Sequence, residues 1–182
     1  MSTNDVTLKN ISTFQGHDGI GLNADIYIRG RKVAHVFDGA YGGCFEYTIL
    51  GNNDQERDEN KNLFKELEDF ISTLPKKSVD RGDGIMFEFT FDMDTLINEI
   101  FSKIEAEIEK KKIIKKCETA ILYGKQNGTS YRILDFKKSL REIASTQVGK
   151  AIIQRHYNEV KRNLQQGEEV FNENLREIGI VL

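Results

Sequence analysis

The stretch Leu22-Asn23-Ala24-Asp25-Ile26-Tyr27-Ile28-Arg29-Gly30-Arg31-Lys32-Val33-Ala34-His35-Val36-Phe37 decides the fold class. Leu22, Ala24, Ile26 and Ile28 alternate with Asn23, Asp25 and Tyr27, the two-residue period of a strand with one buried face. Arg29-Gly30-Arg31-Lys32 has the composition of a hairpin turn, and Val33 to Phe37 is the returning strand. Upstream, Thr7 to Phe14 reads as a further strand. Downstream, Asp38-Gly39-Ala40-Tyr41-Gly42-Gly43 turns the chain into Cys44 to Leu50, where Phe45, Tyr47 and Ile49 share one face. Connections this short predict an antiparallel meander.

Beyond residue 52 the period changes. Leu63, Phe64, Leu67, Phe70, Ile71 and Leu74 form one apolar stripe, which predicts a helix over Asp54 to Leu74. Pro75, the single proline, ends it by removing a donor and excluding α geometry from the residue before it. Lys76 to Gly84 reads as a polar loop, and Met86 to Phe91 as a short strand. Asp92 or Asp94 can cap a second helix, whose buried stripe is Met93, Leu96, Ile97, Ile100, Phe101, Ile104 and Ile108. Thr119 to Tyr123 and Tyr131 to Leu134 flank Asn127-Gly128, a pair suited to a two-residue hairpin. A third helix is expected over Thr146 to Gln165. A short C-terminal helix follows Gly167, with Phe171, Leu175 and Ile178 inward. Strands and helices cluster rather than alternate, which predicts an α+β protein with helices packed on a sheet.

A chain of 182 residues matches one domain, since domains commonly run to about 100–150 residues. Its residues 1–51 are β-rich, and 52–182 helix-rich with a hairpin near 119–134. Apolar residues make up 38% and charged residues 30%, so a globular core carries a heavily charged exterior. The net charge of −3 argues against a general nucleic-acid binder, which relies on a basic surface to neutralise phosphates. Cys44 and Cys117 are far apart and outside any C-x-x-C, as expected of reduced thiols. With no long apolar run and a polar start at Met1-Ser2-Thr3-Asn4-Asp5, a cytoplasmic location in a bacterial host cell is expected.

Eight of the fifteen glycines precede residue 52, and Gly16-His17-Asp18-Gly19-Ile20-Gly21 resembles a nucleotide loop at first sight. A phosphate cradle sets such glycines between a strand and a helix, so that the helix N-terminus faces the anion. Here they lead into a strand. Gly124-Lys125 and Gly149-Lys150 are followed by Gln126 and Ala151 rather than Ser or Thr. Turn glycines are the better account. His17, Asp18, His35 and Asp38 could gather around a divalent metal, or His35 could serve Cys44 as a base, against the plainer alternative of polar residues at sheet ends. His156 shares helical spacing with Val148, Ile152, Val160 and Leu164, as a packing histidine does. Arg81-Gly82-Asp83 matches a cell-adhesion tripeptide by coincidence. No catalytic residue, metal or cofactor is expected.

The charge runs point outward. Asp54, Glu56, Asp58, Glu59, Glu66, Glu68 and Asp69 crowd the first helix, and Lys110, Lys111, Lys112, Lys115 and Lys116 the end of the second. Acids early and bases late suit the helix macrodipole, worth a few tenths of a kcal/mol each. The functional alternative is a surface of two signs. Asp54, Glu56, Asp58, Glu59, Glu66 and Asp69 would dock into a basic channel of a partner, while the lysines touch nucleic acid held there.

Phe14-Gln15-Gly16-His17-Asp18-Gly19, Ala24-Asp25-Ile26-Tyr27-Ile28 and Gly30-Arg31-Lys32-Val33-Ala34 resemble the opening of small proteins carried by phages and plasmids. Phe91-Asp92-Met93-Asp94-Thr95-Leu96-Ile97 and Asn172-Glu173-Asn174-Leu175 fit the same pattern. In length and layout the chain is similar to a type II-A anti-CRISPR family, inhibitors of Cas9 on phages and mobile elements. The resemblance implies a binding protein without catalysis that acts on Cas9 with its guide RNA, and assigns no residue a role. The alternatives are a small metal- or nucleotide-binding enzyme at the glycine-rich sheet end, or a phage structural or regulatory accessory. The oligomeric state stays open.

Overall fold

The computed structural model describes residues 1–80, 82, 84–125 and 130–182. They form an α+β protein in two compact units, Met1–Ile104 and Glu105–Leu182. The composition changes near residue 51, whereas the units divide inside a long helix.

In the first unit β1 (Val6–Gln15), β2 (Ile20–Ile28), β3 (Arg31–Asp38) and β4 (Glu46–Ile49) make an antiparallel sheet in chain order. The β2–β3 turn places Arg29 and Gly30 at φ of +51° and +81°, the two positive angles that match a hairpin's twist. Alternation holds as the sequence predicts: Leu22, Ala24, Ile26 and Ile28 are buried, with Val33, Ala34 and Val36 from β3. Against this face lies α1 (Asp54–Ser72), two residues shorter than expected, which buries Phe64, Leu67 and Ile71 and half-buries Leu63 and Phe70, with Leu74 packed beside them past its end. Asn53 caps α1 by accepting from the Glu56 amide at 2.8 Å. Truncating the fully buried Leu67 to alanine costs roughly 2–5 kcal/mol.

The stretch expected to be a polar loop instead contains β5 (Lys77–Asp80), paired antiparallel with β6 (Met86–Phe89). A single valine gives β5 no readable period, so its strand state comes from pairing with a phenylalanine-rich neighbour. Next, α2 (Met93–Cys117) is capped by Asp92, whose Oδ1 accepts from the Thr95 amide at 2.8 Å. Asp94 bonds elsewhere, accepting from Tyr47 Oη at 2.6 Å and from the Phe45 amide at 3.1 Å. Leu96 and Ile97 are buried in the first core, with Met93, Ile100, Phe101 and Ile104 beside them. Ile108, expected to continue that stripe, is exposed, because the core of the first unit ends at Ile104.

In the second unit β7 (Ala120–Lys125) lies between β8 (Tyr131–Asp135) and β9 (Glu168–Val170), antiparallel to both. The expected Asn127-Gly128 turn falls outside the described residues. A short helix α3 (Leu140–Ile143) and α4 (Gln147–Arg162) pack Leu140, Ile153, Tyr157 and Val160 with Ile121 and Leu175. Thr146 caps α4 by accepting from the Gly149 amide at 3.0 Å. Val148 and Ile152 face solvent, one position away from the stripe that is buried. No C-terminal helix follows Gly167. Its φ of +80° turns the chain into β9 and then a single 3-10 turn, Glu173–Leu175. Leu175 is nevertheless buried, and Phe171 and Ile178 pack inward as expected, though without the helix.

Candidate binding surfaces

Asp25 lies on the sheet face opposite the core, yet is nine-tenths buried. Three side chains cover it: Asn10 Nδ2 donates at 2.7 Å, Lys32 Nζ at 2.8 Å, and His35 Nδ1 lies 3.1 Å away. Two irregularities bring them in. A bulge in β1 between Lys9 and Ser12 holds Asn10 at φ of +51°, and a second shift follows Ile26 in the β2–β3 pairing. Burial by itself would push the Asp25 carboxyl up. The bonds from Lys32, Asn10 and His35, with the charge of Lys32, outweigh it and hold the group at about 2.

The two N-terminal imidazoles are placed apart. His35 is turned to Asp25, while His17 is exposed and lies 4.0 Å from Asp18. Asp38 uses Oδ1 to accept from the Ala40 amide at 2.8 Å. The four residues do not gather, and among the described residues no group of three or more His, Cys, Asp or Glu is arranged to hold a metal ion. Cys44 is exposed, and burial pushes the Cys117 thiol up to about 11. His156 is half-buried and packs edge-on to Phe136, although Val148 and Ile152, which share its helical spacing, are exposed.

The acidic helix is less free than its sequence implies. Arg31 donates to Glu59 at 2.8 Å and Arg29 to Glu66 at 2.8 Å, so two of its carboxylates already hold the β2–β3 turn. Glu56 accepts from the Asn52 amide at 2.8 Å. Asp54, Asp58 and Asp69 are exposed. At the end of α2, Lys116 donates to Tyr131 Oη at 2.7 Å and Lys112 lies 3.6 Å from Glu109, while Lys110, Lys111 and Lys115 are exposed.

A third surface was not legible as a site. Gly16–Gly19 and Gly39–Gly43 are zipped together at the end of the first sheet, where the Asp18 amide donates to the Ala40 carbonyl at 2.8 Å. A Cβ on Gly16 would stand 2.4 Å from that of Ala40, so only glycine permits this approach. Ala40 itself holds φ of +54°. On this scaffold Phe14 stacks on Phe37 with ring centroids 5.8 Å apart, and its ring covers Gly21. Tyr41 lies across Gly39 beside Phe37 and is 78% exposed. Sequence spacing shows these rings on separate strands and turns; only the register and the glycines bring them together.

Charge divides with the units. The chain up to Ile104 has 11 Lys and Arg against 18 Asp and Glu, a net of −7; the remainder has 15 against 11, a net of +4. Among the described residues no helix is long and apolar enough to cross a membrane. The fold and these surfaces define an α+β protein with an acidic sheet-bearing unit and a basic unit. Comparison with family models, with curated proteins and with solved structures finds no match to the chain.

Proposed function

We propose that this chain is a phage or mobile-element accessory protein that inhibits a host defence nuclease of the Cas9 type by direct binding. The observation that carries the proposal is the division of charge, −7 in one unit and +4 in the other. A nuclease loaded with guide RNA offers both signs, a basic protein channel and the phosphates inside it. A chain with one unit of each sign is steered to such a complex by both, and complementarity of this kind raises association rate and selects partners. The exposed aspartates of α1 and the exposed lysines at the end of α2 are the groups available to it. The resemblance of the opening segments to phage-borne proteins points the same way.

The test is a cleavage assay with Cas9, guide RNA and target DNA at molar excess of the purified chain, with sizing of the mixture. Loss of cleavage with co-elution supports inhibition by binding. Undiminished cleavage with separate elution would reject it.

A further inference from the structure

We infer that the glycine-zipped end of the first sheet is a docking point for an arginine-bearing protein segment. The inference rests on the inhibitor proposal only for the identity of the protein that carries the arginine. Phe14 stacks on Phe37, and Tyr41 lies across Gly39 on the Phe37 side, with Phe14 40% and Tyr41 78% exposed. Exposed apolar groups gathered in one patch, rather than scattered singly, mark interaction sites, and aromatic rings dominate interface energetics. The turns that carry the rings are held by hydrogen bonds. Gly16 donates to the Gly19 carbonyl at 2.8 Å, Asp18 to Ala40 at 2.8 Å, and Ala40 to Asp38 Oδ1 at 2.8 Å. Little ordering therefore remains to be done on binding.

The charge around the rings selects the occupant. No lysine or arginine occurs from residue 10 to 28 or from 33 to 56, the segments that build this end of the sheet. Glu46, cross-strand from Phe37, is exposed, as is Asp18, whose Oδ2 lies against Gly42 beside Tyr41. The two cations on the same sheet face are further along the strands and engaged: Lys9 lies over the Tyr27 ring at 4.3 Å, and Lys32 on Asp25. His17 adds an imidazole 4.0 Å from Asp18, but no Lys or Arg joins it from these segments, and the exposed carboxylates disfavour a nucleic-acid strand stacking on these rings. A guanidinium satisfies both features at once, since its plane stacks on an aromatic face while its donors pair with carboxylates. Lysine offers the charge without the plane.

The experiment is an amide chemical-shift titration of the full chain with a capped Gly-Arg-Gly-Arg-Gly-Arg peptide, its lysine counterpart, and a twelve-residue oligothymidylate. Expected are shifts centred on Tyr41, Phe37, Asp18 and Glu46, at least fivefold tighter for arginine than for lysine, and none there from the oligonucleotide. Tyr41→Ala and Asp18→Asn should each weaken the arginine peptide at least fivefold, with Asp54→Asn on α1 unchanged. Tyr41 is largely exposed, so its removal leaves the core intact, and the far-shifted methyl signals of the first core report folding. Shifts spread evenly over acidic surfaces, equal response to lysine, or stacking of the oligonucleotide would each overturn the inference. So would concentration-dependent shifts of Tyr41 in the protein alone, which would assign the surface to a second copy. A chain that blocks nuclease cleavage but ignores the peptide refutes this inference alone; one that binds the peptide but leaves cleavage untouched refutes the inhibitor proposal alone.

Discussion

Asp25 on β2 and His35 on β3 stand opposite each other, with carboxylate Oδ1 3.1 Å from imidazole Nδ1, on the sheet face away from the core. The same carboxylate holds Lys32 and Asn10, so one buried acid ties side chains of three strands together at a pair of register shifts. Its pKa of about 2 lies below the ordinary 3.8. A group depressed on folding contributes stability above its unfolded pKa and loses it as pH falls through the folded value. Asp25 therefore contributes about 2 kcal/mol at neutral pH, lost between about pH 4 and pH 2. Urea unfolding of the wild type and Asp25→Asn at steps from pH 7 to pH 2 should show a gap that closes only in that acid window. Parallel curves would remove the carboxylate from this role.

Tyr47 and Asp94 make a half-buried polar contact in the first unit. Burial, then the bond to Asp94 and its charge, push the Tyr47 phenol up beyond the usual alkaline range. In alkaline titration followed at 295 nm, wild type and Tyr47→Phe should coincide until the chain unfolds. Tyr47→Phe should cost about 1–2 kcal/mol, since it leaves Asp94 only the Phe45 amide. An early excess of phenolate signal in the wild type would show Tyr47 open to water.

How far the sequence could be read follows from what each residue type signals locally. The meander was legible because Leu22, Ala24, Ile26 and Ile28 repeat the strand period and Gly30 supplies a positive φ. The α1 stripe was legible for the same reason, with Leu67 and Ile71 one turn apart on the buried side. β5 was not, because Lys77-Ser78-Val79-Asp80 owes its state to a partner strand rather than to its own pattern. The acidic run on α1 was plain, but not that Glu59 and Glu66 are held by Arg31 and Arg29 from the turn. The Asp25 cluster was hidden altogether. Its alternation marks it as outward, and two register shifts with Asn10, Lys32 and His35 bury it.

In the second unit Asn172 replaces a helix as the organiser of the C-terminal segment. Its Oδ1 accepts from the Leu122 amide at 2.7 Å, and its Nδ2 donates to the Ala120 carbonyl at 2.8 Å and the Cys117 carbonyl at 3.2 Å. With 3% of its surface exposed, no water can substitute freely. Asn172→Ala strands a buried amide and carbonyl and should cost about 3 kcal/mol. Hydrogen exchange at the Leu122 amide reads the effect directly: it should quicken by about a hundredfold, given ~1.4 kcal/mol per factor of ten. Exchange at the wild-type rate would mean that the backbone finds other partners.

The charge division makes a prediction that separates the two units. Asp58→Lys with Asp69→Lys changes the exposed acids of α1 while sparing Glu59 and Glu66, whose loss would also free Arg31 and Arg29. Lys111→Glu with Lys115→Glu reverses two exposed lysines while sparing Lys116, which holds Tyr131. If the acidic unit meets a basic protein channel and the basic unit meets nucleic acid, both pairs should weaken inhibition of the nuclease by about tenfold or more, or ~1.4 kcal/mol. They should differ in what they depend on. The lysine pair should lose its effect when binding is measured to the nuclease without guide RNA, because its partner is then absent. The aspartate pair should weaken binding in both cases, with the deficit shrinking at high salt as the exposed charges are screened. Equal behaviour of the two pairs with and without guide RNA would place both surfaces on protein.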